Sequence, residues 1–135
     1  MKLKLVKDGS TERPQSEIDE ITKFVAFCAK KLGLEGDIKL TLVSKNDNET
    51  GMSTGGFDIE TNEILAREFG RSLVDILRSI AHELVHYRQK EKGKFKAGDN
   101  IPNIGGEIED EANAICGQLV KMYVTELDKK YLYTY

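Results

Sequence analysis

An α+β fold is what this sequence predicts. Short segments alternate apolar and polar residues with the period of a strand, three longer ones repeat apolar residues with the period of a helix, and Gly, Pro and Asn mark the joins. Hydrophobic residues make up 39% and charged residues 32% of 135, the balance of one globular domain spanning residues 1–135.

The elements follow in order. Residues 1–7 contain K-L-K-L-V-K, a period-two first strand, and a polar break with Pro14 comes next. Ser16 then offers an N-cap with Glu17, Asp19 and Glu20 in the first turn. Ile18, Ile21, Phe24, Val25, Cys28 and Leu32 form a core-facing stripe, and Gly33 or Gly36 ends the helix. The run I-K-L-T-L-V within 37–44 predicts a second strand. Residues 50–68 read as a hairpin with Thr61 and Asn62 at its tip. Gly55-Gly56 inside it marks a bulge, a bend or a close backbone approach. Ser72 opens a second helix, with Asp75 in a capping position. Leu73, Leu77, Ile80 and Leu84 face the core there, widened by Val74, Ala81 and Val85, and Gly93 stops the helix after about Glu91. Residues 93–106 form a glycine-rich loop long enough to be functional or mobile. A last helix starts near Gly106 and carries Ile108, Ala112, Ile115, Leu119 and Met122 or Tyr123 inward. The tyrosine-rich tail from Lys129 packs as a strand or trails.

Composition narrows the function. A formal charge of −3 gives no bulk attraction to nucleic acid or to an anionic membrane. The longest apolar run, residues 24–29, is far short of a bilayer span, and the N-terminus lacks the apolar core of a secretory signal. Cys28 and Cys116 have no C-x-x-C spacing; they could make one disulfide, but read as small buried apolar residues in a reducing compartment. The expected address is the cytoplasm.

The chemistry sits in His82-Glu83-Leu84-Val85-His86, an H-E-x-x-H motif on the second helix. Residues four apart stand one turn above each other, so both imidazoles leave the same face. That face continues through Asp75, Ser79 and Gln89 and turns away from the leucine stripe. Glu83 is offset by about 100° and reaches a metal-bound water, not the metal. Two randomly placed histidines fall four apart roughly 1–2% of the time, and an intervening Glu lowers that about tenfold. The bland alternative is a helix with two surface histidines.

A catalytic zinc takes three protein ligands and a water. With only two histidines in the chain, the third ligand is expected to be a carboxylate. Ile108, Ala112 and Ile115 take the core face of the last helix, leaving Glu109 and Asn113 one turn apart beside it. Glu109 is the expected ligand, Glu107 the second candidate, and Glu111 projects differently. Asn113 can then hydrogen-bond a ligating imidazole.

H-E-L-V-H on one helix and Glu109-x-x-Ala112-Asn113 on the next resemble the gluzincin metallopeptidases, of which thermolysin is the familiar member. The E-x-x-A-N form is similar to compact ImmA/IrrE-type and phage-encoded peptidases, although Val85 stands where those motifs usually carry Gly. The resemblance runs from Ser72 to about Val120. It implies a minimal zincin-like domain: a small twisted, mostly antiparallel sheet packed on three helices, with the motif on the central active-site helix. It also implies that a peptide or protein substrate lies extended along a strand edge, for which residues 52–57 are the candidates.

The expected activity is peptide hydrolysis with one zinc per chain, held by His82, His86 and Glu109. Two neutral imidazoles and one carboxylate leave a net +1 at the metal, enough to acidify water, and Glu83 acts as general base and then proton donor. A second oxyanion donor is expected from Tyr123, a tail tyrosine or the 93–106 loop; Tyr87 points off the ligand face. Two alternatives stand beside this one. One is a non-catalytic or regulatory zinc protein, which has no need of Glu83. The other is a narrow protease acting on a repressor or another single partner.

Overall fold

A computed structural model describes residues 2–8, 13–44, 55–95 and 106–133. Among these the chain forms β1 (Leu3–Asp8), α1 (Gln15–Leu32), β2 (Ile38–Val43), β3 (Gly55–Asp58), β4 (Glu63–Arg67), α2 (Leu73–Glu91) and α3 (Gly106–Glu126). A single 3-10 turn at Lys130–Tyr133 follows. Among the described residues the architecture is α+β: three helices and an open four-stranded mixed sheet.

The sheet corrects one expectation. Its order is β1-β2-β4-β3, and two of its three pairings are parallel. Leu3 pairs with Ile38 and Lys39 with Glu63 in parallel register; β3 against β4, from Gly55 opposite Ala66 to Asp58 opposite Glu63, is the antiparallel pairing. The reason lies in the connections. An 18-residue helix between β1 and β2 carries the chain back to the end where it began, which makes the next strand parallel. The hairpin then competes for the place beside β2, and its second arm takes it. Ile64 and Ala66 of β4 are fully buried, whereas the Gly-Gly-Phe-Asp arm suits an edge. Asn62 closes the hairpin at φ 60°, a conformation Asn tolerates, while Asp58 accepts from the Glu60 and Thr61 amides at 2.9 and 3.3 Å.

The helical stripes meet in one apolar cluster. Phe24, Val25 and Cys28 of α1, Leu40 and Leu42 of β2, Leu77, Ile80 and Leu84 of α2, and Ala112, Val120 and Tyr123 of α3 all belong to it. Both cysteines are buried and unpaired within it. Helix α2 lies centrally, touching α1, α3, β3 and β4. Ser72 caps it by accepting from the Asp75 amide at 3.4 Å. Of the two expected inward positions on α3, Tyr123 is buried and Met122 is exposed.

Two termini differ from expectation. Ser16 does not cap α1: the helix starts two residues earlier than such a cap implies, with Pro14 as N-cap and its carbonyl accepting from the Glu17 and Ile18 amides at 3.0 and 3.2 Å. Pro14 itself stands outside the helix, at φ −59° and ψ 150°, and its side chain makes no capping hydrogen bond. The C-terminal end of α1 is Gly33 in the left-handed conformation at φ 70°. Within the tail, residues 130–133 neither extend nor trail; Leu132 is fully buried, and Lys129 and Tyr131 both reach Glu20 of α1. No helix is long and apolar enough to cross a membrane among the described residues. The expected turn at 45–49, the first residues of the hairpin and most of the 93–106 loop lie outside the described residues.

Candidate metal centre

Helix α2 supplies three of the expected residues and α3 the fourth, and the packing of those two helices brings them together. His82 and His86 project from one face with their Nε2 atoms 3.1 Å apart. Glu109, in the first turn of α3, reaches across to both: Oε1 lies 2.8 Å from His86 Nε2 and Oε2 lies 3.3 Å from His82 Nε2. Glu83 sits one residue round the helix, its Oε1 3.9 Å from His82 Nε2. Glu107, the second candidate ligand, is exposed on the same turn as Glu109.

Electrostatics sharpen this arrangement. Burial, aided by the charge His86 can carry, pushes the His82 ring below its ordinary value, against an opposing pull from Glu109 and from a ring N–H hydrogen bond accepted by the Asn113 side chain. A ring held neutral is a ring free to ligate. Asn113 therefore stands at the imidazole it was expected to serve. Burial first, and the Glu109 charge second, push the Glu83 carboxyl up to about 8.

The donor set fits a zinc ion. Two imidazole nitrogens and a carboxylate are a common catalytic zinc set. Four ligands at about 2.05 Å in a tetrahedron stand about 3.3 Å apart. The two Nε2 atoms stand 3.1 Å apart, close to that spacing, and each has a different Glu109 oxygen beside it, at 2.8 Å from His86 and 3.3 Å from His82. His82, Glu83 and His86 also present one ligand atom each within 4.8 Å of one another. A Glu109 oxygen lies nearer His82 Nε2 than the Glu83 carboxylate does, at 3.3 against 3.9 Å.

The face carrying the imidazoles turns away from the leucine stripe, yet much of it is buried as well. His86 is 2% exposed, Glu83 7% and Gln89 1%. Helix α3, strand β3 and a small apolar cluster of Ile59, Phe95 and Ile108 cover them. Phe95 packs its ring against His86 and Phe57. His82 and Glu109 keep more exposure and form the accessible side, with side chains 19% and 39% exposed.

Gln89 lies on the imidazole face as the helix phase expected, but sequence reasoning gave it no role there. Its Oε1 lies 2.7 Å from His86 Nδ1, and its Nε2 donates to the Ile108 carbonyl at 3.0 Å and to Glu111 Oε1 at 2.8 Å. Its place three residues after His86, on the same polar face, was a usable signal. Lys94 in turn binds both Glu111 oxygens at 2.9 Å. These bonds hold the Glu111 carboxyl below the ordinary range.

Tyr123 does not serve the site. Its hydroxyl donates to Glu20, and its ring packs edge-on against Phe24 and Phe27. Tyr131 is drawn to the same carboxylate, while Tyr87 donates to the Asp37 carbonyl at 3.2 Å, off the ligand face as expected. Comparison with family models, with curated proteins and with solved structures yields no match.

Proposed function

We propose that this chain is a zinc-dependent metallopeptidase of zincin-like build, with His82, His86 and Glu109 holding the metal and Glu83 acting as general base. The carrying observation is the meeting of two imidazole nitrogens and a carboxylate within 3.3 Å of one another, beside a buried glutamate. When bound there, zinc acidifies a water and polarises the carbonyl of the scissile bond.

The chain's own groups do the remaining work. Glu83 accepts a proton from the attacking water and returns it to the departing amine, so one carboxyl acts twice and ends in its starting state. Its burial keeps competing solvent away. Among the described residues strand β3 has β4 as its partner at one end of the sheet order, and an extended peptide would pair with its outer edge. Gly55 brings that edge close to the base: a Cβ at Gly55 would lie 3.6 Å from Glu83 Cγ.

A second reading has its own observation. The grouping of His82, Glu83 and His86 within 4.8 Å would let Glu83 itself be a ligand of a structural metal. One experiment separates the two. Zinc content and hydrolysis of a mixed peptide substrate are measured for the parent and for Glu83→Gln, His86→Ala and Glu109→Ala. We expect about one zinc per chain in the parent and in Glu83→Gln, whose rate falls by about 10²-fold or more. The other two variants lose the metal. Zinc lost from Glu83→Gln supports the structural reading, and zinc kept by Glu109→Ala but lost from Glu107→Ala reassigns the third ligand. Cleavage of one partner protein alone indicates a narrow regulatory protease.

A further inference from the structure

The hydrogen bonds around Gln89 determine which nitrogen of His86 carries a proton. The Gln89 Nε2 end faces two groups that have no hydrogen to give, the Ile108 carbonyl and the Glu111 carboxylate, at 3.0 and 2.8 Å. That end must be the NH2 group, since turning the amide over would aim its oxygen at two other acceptors. Oε1 is thereby committed to His86, 2.7 Å from Nδ1. An acceptor at that distance requires an N–H on Nδ1. In the neutral ring the remaining nitrogen, Nε2, then presents its lone pair toward His82 and Glu109.

We propose that Gln89 is a positioning residue which, anchored by Ile108 and Glu111, holds His86 in the Nδ1–H tautomer and so presents Nε2 for a metal. The inference rests on the metallopeptidase reading for its purpose, though the tautomer itself does not depend on it. The need for such a device is visible in the site. Glu109 Oε1 lies 2.8 Å from His86 Nε2 and would otherwise draw the ring proton to that nitrogen. Gln89 counters this from the other side of the ring. It is 1% exposed, so water cannot stand in for its oxygen. Glu111 is itself held by Lys94 at 2.9 Å, which extends the support from the end of α2 to the first turns of α3.

The test uses the full chain, with zinc alone as the probe. Long-range proton–nitrogen NMR of the metal-free protein, at a pH where the rings are neutral, reports which His86 nitrogen is protonated. The proton is expected on Nδ1. In Gln89→Met, which keeps the side-chain length but removes both polar ends, it is expected to move to Nε2, facing Glu109. Zinc affinity, measured by competition with a chelator, should fall by about 10- to 100-fold in that variant. A proton on Nε2 in the parent overturns the proposal, whether or not Gln89→Met folds. So does a folded Gln89→Met with the parent's tautomer or with zinc affinity within about threefold. Absence of zinc binding by a parent that still shows Nδ1–H would reject the metallopeptidase reading and leave the tautomer assignment standing.

Discussion

The protonation of Glu83 makes the metal-free fold sensitive to pH in a direction that can be worked out. Its carboxyl has an ordinary value of 4.5 and is pushed up to about 8, first by burial and then by the charge of Glu109. Between those values the folded chain keeps a proton that the unfolded chain releases. Stability therefore falls as pH rises through the window, by about 1.4 kcal/mol per pH unit once the window is fully entered. Across the whole interval the loss is on the order of 5 kcal/mol, comparable to the entire stability of many domains. Replacing Glu83 by Gln removes the titration and keeps the shape. Urea melts of chelator-treated parent and Glu83→Gln protein at pH 5, 6, 7 and 8 measure the effect as a difference between the two chains. Titrations that both chains share, including that of His82, largely cancel. We expect the parent to lose stability relative to the variant at each step, and the gap to narrow when zinc is added, because a nearby cation favours the carboxylate. Parallel melts for the two chains across this range would refute the argument that burial and Glu109 govern this carboxyl.

Two further outcomes follow from the packing. Gly55→Ala places a methyl 2.9 Å from the Leu65 carbonyl oxygen, so β3 must shift against β4; thermal melts should show a loss of about 1–3 kcal/mol, and peptide hydrolysis should fall with the displaced edge. Tyr123→Phe removes a donor from buried Glu20, whose carboxyl lies below its ordinary value because Tyr123, Tyr131 and Lys129 outweigh the opposing effect of burial. A depressed carboxyl stabilises the fold above its unfolded value and loses that contribution as pH falls. The variant should thus cost about 1–3 kcal/mol at pH 7 and progressively less below pH 4, as read by denaturant melts at each pH.

Local pattern was sufficient for much of the molecule. A helix exposes its faces at a fixed period, so the spacing of Leu73, Leu77, Ile80 and Leu84 located both the buried side of α2 and the side from which His82 and His86 project. The same phase argument on α3 singled out Glu109 and Asn113, which lie beside the imidazoles. Ser72 and Gly33 marked helix ends because capping depends on the few residues at the boundary.

Pairing was another matter. Alternation along a strand tells which side chains share a face and says nothing of the neighbouring strand or its direction. The parallel alignment of β4 on β2 emerged only when the two hairpin arms competed for a buried position. Tyr123 could be marked as inward, yet its partner Glu20 lies 103 residues away in the chain. Gln89 is the clearest case. Its own helix aims it at His86, but the direction of its amide is dictated by a carbonyl and a carboxylate on α3. Periodicity along one helix carries no record of hydrogen bonds made to another; those exist only once the two helices have packed.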